Sequence, residues 1–255
     1  MKIVSWNVNS LKARLDHVKA YLASEKPDIL MLQEIKGTEF PDMEFTALGY
    51  HVLHTLQKAY NGVAILSRIP LELIHAKLPG MEEDEQARYL EVQTPDGLRV
   101  INVYCPNGNP VDSEKYPYKL RWTRALKTRL AELREARIPF VIGGDFNIIP
   151  EGKDCFDPAV WQNDALFLLE TRRLFREIMN LGLLDAFRAI DSAPERYTFW
   201  DYQAGSWQRN NGIRIDHFLL SPEAADRLED CRIDTAPRAL DKPSDHTPII
   251  VQIAA

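Results

Sequence analysis

Residues 3–36 read IVSWNVNSLKARLDHVKAYLASEKPDILMLQEIK, and the order of patterns in this stretch sets the fold class. IVSWNV is an apolar, Val- and Ile-containing run of strand length, too short for a helix of its own. Leu11, Leu15, Val18 and Leu22 then recur at helical spacing, which predicts a helix over residues 11–24 with Ser10 as its N-cap. DILMLQ is a second strand-length run. A polar residue stands directly after each run: Asn7 and Asn9 after the first, Glu34 after the second.

The same strand–helix–strand order returns at residues 98–145. LRVINVYC leads to a predicted helix over residues 118–136, with Trp122, Leu126, Leu130 and Leu133 on one face, and then to FVIGGDF. GVAILS, RIDHFLL and PIIVQI supply further strands. LEVQTPDGLRVINV reads as a hairpin around Asp96-Gly97. A third helix is predicted over residues 166–180, stopped by Gly182. Strands joined partly by helices and partly by tight turns predict an α/β fold with two similar halves, packed sheet against sheet with helices outside. No linker-like or low-complexity stretch divides the chain, so residues 1–255 are expected to form one domain.

Composition narrows the function classes. The 255 residues are 45% hydrophobic and 27% charged, ordinary for a globular protein. Lys+Arg 31 against Asp+Glu 37 gives a net charge of −6, which excludes a generic basic nucleic-acid coat but leaves room for a local basic surface around an acidic site. Cys105, Cys155 and Cys231 are odd in number, widely spaced and without a CxxC pair. They point to neither a zinc ribbon nor a disulfide framework, and a reducing cytoplasm is the expected compartment. The opening MKIVSWNVNS has no leader-like apolar segment. No run of about 20 apolar residues is present, so no membrane span is expected.

The polar residues at strand ends carry the chemistry. Besides Asn7 and Glu34, Asp145 and Asn147 close VIGGDFN, Asp216 lies in RIDHFLL, and Asp245 and His246 precede PIIVQI. Strand ends are where layered sheets build ligand sites. Singly, most have an ordinary structural reading: Asn7 as a helix cap, Glu34 as a loop carboxylate beside Lys36, residues 145–147 as an Asx turn, residues 244–246 as a surface turn. Asp216 resists that reading, because a charge inside an apolar strand is costly unless paired. Together they define a candidate site. Carboxylates without cysteine favour a hard cation, Mg²⁺ or Mn²⁺, over Zn²⁺. One His and two Asn beside them suit phosphate chemistry, which needs an oriented water, a cation on the non-bridging oxygens and help for the leaving oxygen.

SWNVNSLKAR, PDILMLQEIK, YNGVAILSR, INVYCPNG, GGDFNI, YTFWDY, GIRIDHFLLS and PSDHTPI occur in the order of the exodeoxyribonuclease III family of abasic-site (AP) endonucleases, and the chain resembles that family over nearly its whole length. GDFN and SDH belong to the wider endonuclease/exonuclease/phosphatase superfamily. SWNVNSL, LQE with a following Lys, and YTFWDY point to its DNA-repair branch. The resemblance implies a four-layer α/β sandwich of two mixed sheets flanked by helices. It implies Mg²⁺-dependent cleavage of double-stranded DNA at abasic sites or blocked 3′ ends, by a monomer. By motif, Glu34 is implied as the principal metal ligand, with Asn7, Asn9 and Asp245 completing the metal region; whether one or two metals act stays open. Asp145, helped by Asn147, would align or deprotonate the water. His246, oriented by Asp216, would contact the phosphate, as would Tyr104, with Asn107 nearby.

The family's abasic pocket maps to Phe199, Ile213 and Ile215, with Trp200 as an alternative wall; an extruded sugar without its base costs less to flip than a paired nucleotide. Ile213 stands where some relatives carry a larger aromatic. DNA grip is expected from residues 58–61, 107–119 and 203–214, the last with Trp207, Arg209 and Arg214, and from Arg172-Arg173. Two competing readings stay open on sequence grounds: a related phosphoesterase acting on lipid or inositol phosphates, and a non-catalytic DNA-binding module.

Overall fold

The computed structural model describes residues 1–254. The first half of the chain runs β1 (Lys2–Asn7), α1 (Leu11–Glu25), β2 (Ile29–Gln33), α2 (Asp42–Thr46), β3 (His51–Thr55), β4 (Val63–Ser67), β5 (Glu72–His75), β6 (Tyr89–Gln93) and β7 (Arg99–Tyr104). The second half runs α3 (Lys115–Glu135), β8 (Phe140–Asp145), α4 (Pro158–Trp161), α5 (Leu169–Met179), β9 (Leu184–Asp185), α6 (Ala186–Ile190), β10 (Asp216–Leu220), α7 (Pro222–Ala225), β11 (Leu228–Ile233) and β12 (Ile249–Ile253). Two six-stranded sheets result, in the orders β11-β12-β1-β2-β4-β3 and β5-β6-β7-β8-β10-β9. Each strand–helix–strand unit gives a parallel pair at the centre of its sheet, β1/β2 and β7/β8; the other pairs are antiparallel.

Alternation along the central strands explains the four layers. Ile3, Ile29, Met31 and Ile65 face the second sheet, where they meet Val100, Val141 and Phe218. Val4, Leu30, Leu32 and Leu66 face outward and receive Leu11, Val18 and Leu22 of α1. On the other side Ile101, Val103 and Ile142 receive Trp122, Leu126, Leu130 and Leu133 of α3. Both faces of the central strands are covered, so they read as continuous apolar runs. Full burial of one such side chain is worth about 1.5–3 kcal/mol.

The interior between the sheets also holds one polar link. Gln33 Nε2 donates to Asn102 Oδ1 at 2.7 Å, and Asn102 Nδ2 donates to the Leu32 and Ala64 carbonyls at 3.0 and 2.9 Å. Asn102 thus ties β7 to two strands of the opposite sheet, immediately behind Glu34.

Two local expectations are corrected. Ser10 makes no side-chain cap and sits at φ 87°. The first turn of α1 is held from outside instead, by Ser10 N donating to the Glu34 carbonyl at 2.8 Å and Leu11 N to the Ile35 carbonyl at 3.2 Å. The third helix begins at Leu169, not at residue 166, because Leu166 is drawn into a turn: its N–H donates to Asp164 Oδ1 and its carbonyl accepts from Ile149 N. No helix among the described residues is long and apolar enough to cross a membrane.

Gly143 has no room for a side chain between the Phe218 ring of its own sheet and Met31 of the other. A Cβ there would lie 2.6 Å from Phe218 Cδ1 and 2.7 Å from Met31 Cε of the facing sheet. Gly143→Ala is therefore expected to cost about 1–3 kcal/mol by overpacking. Urea unfolding should show a lower midpoint at unchanged slope; an unchanged midpoint would contradict this contact.

Candidate active site

Strand register brings the site together. Asn7 ends β1 opposite Gln33, so the next residue of the neighbouring strand, Glu34, lies beside it. In the second sheet Tyr104 pairs with Asp145, and Asp145 with Asp216. Phe199 forms isolated bridges with both Ile213 and His246, which draws the last loop over the β8/β10 edge. One end of the sandwich therefore collects polar residues from both sheets.

Asn7 joins the sheets. Its buried amide donates to Glu34 Oε1 at 2.9 Å and to Asp145 Oδ2 at 3.0 Å. Asn147 supports Asp145 from the other side: its backbone N–H donates to Oδ1 at 2.8 Å and its amide to Oδ2 at 3.2 Å. It holds φ 50°, in the left-handed region that Asn tolerates. Asn107 Nδ2 donates to Asn147 Oδ1 at 3.1 Å, extending the amide chain outward. His246 Nδ1 donates to Asp216 Oδ2 at 2.8 Å, and its Nε2 lies 3.7 Å from Asp145 Oδ2. The other Asp216 oxygen is buried without a partner.

The charges are mutually dependent. Burial disfavours the His246 cation, but the Asp216 and Asp145 carboxylates outweigh it and raise the imidazole to about 10. Burial pushes Asp145 up, the neighbouring Asp216 and Glu34 carboxylates push the same way, and His246 opposes them. Burial also resists ionisation of Glu34, yet the Lys36 ammonium at 2.6 Å and the Asn7 amide hold it below its ordinary value. Burial, then the Glu34 and Asp145 charges, push the half-buried Tyr104 phenol well above its usual value.

Glu34, Asp145 and His246 offer ligand atoms all within 4.8 Å of one another. Asp245 stands one step away: Asn9 Nδ2 donates to its Oδ1 at 3.0 Å, while Asn9 Oδ1 accepts from Lys36. The donors are mainly oxygen, the set that suits a hard divalent cation.

Not every predicted residue lines this cluster. The half-buried Phe199 ring packs edge-on against His246, 5.0 Å between centroids. Ile213 and Ile215 are 1% and 2% exposed, in a cluster with Leu166 and Phe167 behind Phe199. Trp200 is buried, and Trp207 packs edge-on against it at 4.8 Å with the Arg238 guanidinium 5.6 Å above the Trp207 ring. Lys58, Tyr60 and Arg209 are exposed. Arg214 is not a free cation for DNA: it is buried, 2.8 Å from Asp154 Oδ1 and 2.9 Å from Asp185 Oδ2.

Lys119 closes the 107–119 stretch expected to grip DNA, and that expectation is corrected: the side chain is turned inward, away from any bound strand. It is fully buried, and its Nζ donates to the carbonyls of Asn107 and Asn147. Its signal is periodicity: position 119 continues the Trp122–Leu126 stripe one turn back, placing a lysine on an apolar face.

The fold and this cluster define a phosphoesterase-type enzyme: acid, base and amide groups from two sheets at one rim. The chain belongs to the endonuclease/exonuclease/phosphatase family, which it matches over residues 4–246. It is 36% identical to the exodeoxyribonuclease III of Haemophilus influenzae over 262 residues, covering 98% of each chain. A 3′ phosphatase from Neisseria, solved with a product DNA hairpin, superposes with a TM-score of 0.96 at 41% identity and full coverage of both chains. An AP endonuclease from Archaeoglobus fulgidus superposes with a TM-score of 0.95 at 38% identity, again over both whole chains.

The Asp216–His246 pair makes a spectroscopic prediction. The His246 ring should remain cationic from about pH 6 to about pH 8 in NMR titration, since its pKa is raised above the ordinary 6.5. Asp216→Asn removes the leading carboxylate and should move the transition down toward 6.5. A wild-type ring that loses its proton near 6.5 would refute the pairing.

Proposed function

We propose that this protein is a divalent-metal-dependent DNA repair nuclease that hydrolyses the phosphodiester 5′ to abasic sites, leaving a 3′-hydroxyl, with 3′→5′ exonuclease action and removal of blocked 3′ ends on the same site. The observation that carries the proposal is the Asn7 amide shared by Glu34 and Asp145, with the Asp216–His246 pair alongside. Three groups that phosphodiester hydrolysis needs are thereby within reach of one another.

Asp145 is the base for water. Burial keeps its proton affinity high, and the two Asn147 donors fix its oxygens. The His246 cation faces the phosphate and stabilises the charge that develops there, with Asp216 holding the ring. Tyr104 and Asn107 contact the same phosphate from the end of β7. Glu34, with Asn7 and Asp245, would hold Mg²⁺ or Mn²⁺. That ion supplies positive charge to the phosphate oxygens when bound. The fit rests on the oxygen-rich donor set and on Glu34, which already carries a cationic partner in Lys36.

Abasic selectivity is assigned to Phe199, Ile213 and Ile215, and strand contact to Trp207. An open groove of about 550 Å³ runs beside Tyr104 and Asn107, lined also by Tyr60, Asn61, Arg88 and Lys115, and suits a nucleic-acid strand. Because the site draws on both sheets, residues 1–255 act as one catalytic domain, read here as a monomer. The three buried free cysteines accord with a reducing cytoplasm.

The test is a defined duplex with one abasic analogue, incubated with Mg²⁺ and with EDTA. Incision is expected with Mg²⁺ alone, leaving a 3′-hydroxyl. An intact duplex, or a lyase-type 3′ end, would overturn the proposal. Glu34→Gln should lower turnover by about 10²–10³-fold while leaving the thermal transition in place.

A further inference from the structure

We infer that Lys119 is a positioning residue of this site: a buried donor, reaching in from α3, that fixes the carbonyls of Asn107 and Asn147 and through them the amide chain that ends on Asp145. The inference rests on the proposed hydrolytic role of Asp145.

The placement is unusual for a lysine. Its side chain is fully buried, and both nitrogen contacts are backbone carbonyls, Asn107 at 3.0 Å and Asn147 at 2.5 Å. Among the described residues it forms no ion pair with a carboxylate. Burying an amine costs several kcal/mol unless its hydrogen-bonding capacity is used. Here that capacity is spent at the two points where the chain carries Asn107 and Asn147 into the site. Asn107 Nδ2 then donates to Asn147 Oδ1, and Asn147 donates twice to Asp145. A shift of either carbonyl moves the amides and the carboxylate they orient.

The stem has a channel of its own. A Cβ at Gly108 would lie 2.7 Å from Lys119 Cδ and 3.1 Å from Ala165 Cβ. The missing side chain at position 108 therefore makes room for the lysine to pass under the loop. The opposite end of the lysine is also held, because its own carbonyl accepts from Thr123 Oγ1 at 2.8 Å. Four methylenes span the gap between α3 and the two carbonyls, a reach that a shorter donor from the same position lacks.

A purely architectural lysine would affect stability and leave turnover alone. A positioning residue affects kcat. Lys119→Met in the full chain, assayed on the abasic duplex with Mg²⁺, is expected to lower kcat about 10²-fold, the scale of a misplacement near 1 Å, while KM for the duplex stays at the wild-type value. The double variant Lys119→Met/Asn107→Ala should lose no more than the larger single loss, because both changes act on one chain of contacts. Wild-type kcat in Lys119→Met, or a double loss equal to the product of the singles, overturns the inference and leaves the proposed activity standing. If Lys119→Met has no cooperative thermal transition, Lys119→Gln carries the same comparison. If neither variant folds, Lys119 is a folding requirement and the inference fails. A wild-type chain that leaves the duplex intact overturns the functional reading first, and this inference with it.

Discussion

The Asn7 amide is the constraint on which the site depends. Its two protons go to carboxylates that belong to different sheets, Glu34 after β2 and Asp145 at the end of β8. Buried carboxylates repel one another and keep both charges only where donors and cations compensate them. Asn7 supplies a donor to each, and does so only while β1 and β8 end at the same height. A one-residue slip in either sheet would turn these side chains to the opposite face. The apolar alternation that packs the sandwich thus also sets the position of every group at its rim.

Electrostatics then divide the rim into two sides. On the Glu34 side, Lys36 and the Asn7 amide favour the charged carboxylate. On the Asp145 side, burial and neighbouring charge favour the proton, opposed by the His246 cation. Two carboxylates that share the Asn7 amide nitrogen therefore have opposite tendencies. One is suited to holding a cation and the other to accepting a proton. Asp216 acts at the edge of this division, where with Asp145 it outweighs the burial that disfavours the His246 cation.

Much of this was legible in the sequence because it is written in strand ends. Asn7, Glu34, Asp145 and Asp216 each follow or open an apolar run, so their convergence needed only the correct sheet order. The residues whose place differs from expectation, or that drew none, are held by contacts remote in sequence. Lys119 looks like one more charge in a basic helix until its stripe position is noted. Arg214 sits in a loop-like stretch among other cations, and nothing local reveals Asp154 and Asp185, 60 and 29 residues away, as its partners. Gln33 and Asn102 are polar letters in strands whose link across the interior depends on how the sheets face each other. Ser10 has the composition of a cap, but the Glu34 and Ile35 carbonyls already satisfy the turn it would have capped.

The division between rim and flank bears on how an acidic chain can engage a polyanion. Arg214, Arg129 and Arg134 are committed to carboxylates of the same chain, so they add little to attraction at a distance. Of the exposed cations, Lys115 lines the groove beside Tyr104 and Lys58 follows its wall residue Gln57. Binding through a few loop cations and a groove of aromatic and amide groups makes shape count for more than charge. Under the proposed function, a lesion that lets the backbone bend into the rim would be favoured over intact duplex by what it no longer has to unstack, not by extra attraction. On that proposal selectivity would come from the deformation the substrate allows, with the sandwich as the fixed surface against which that deformation is measured.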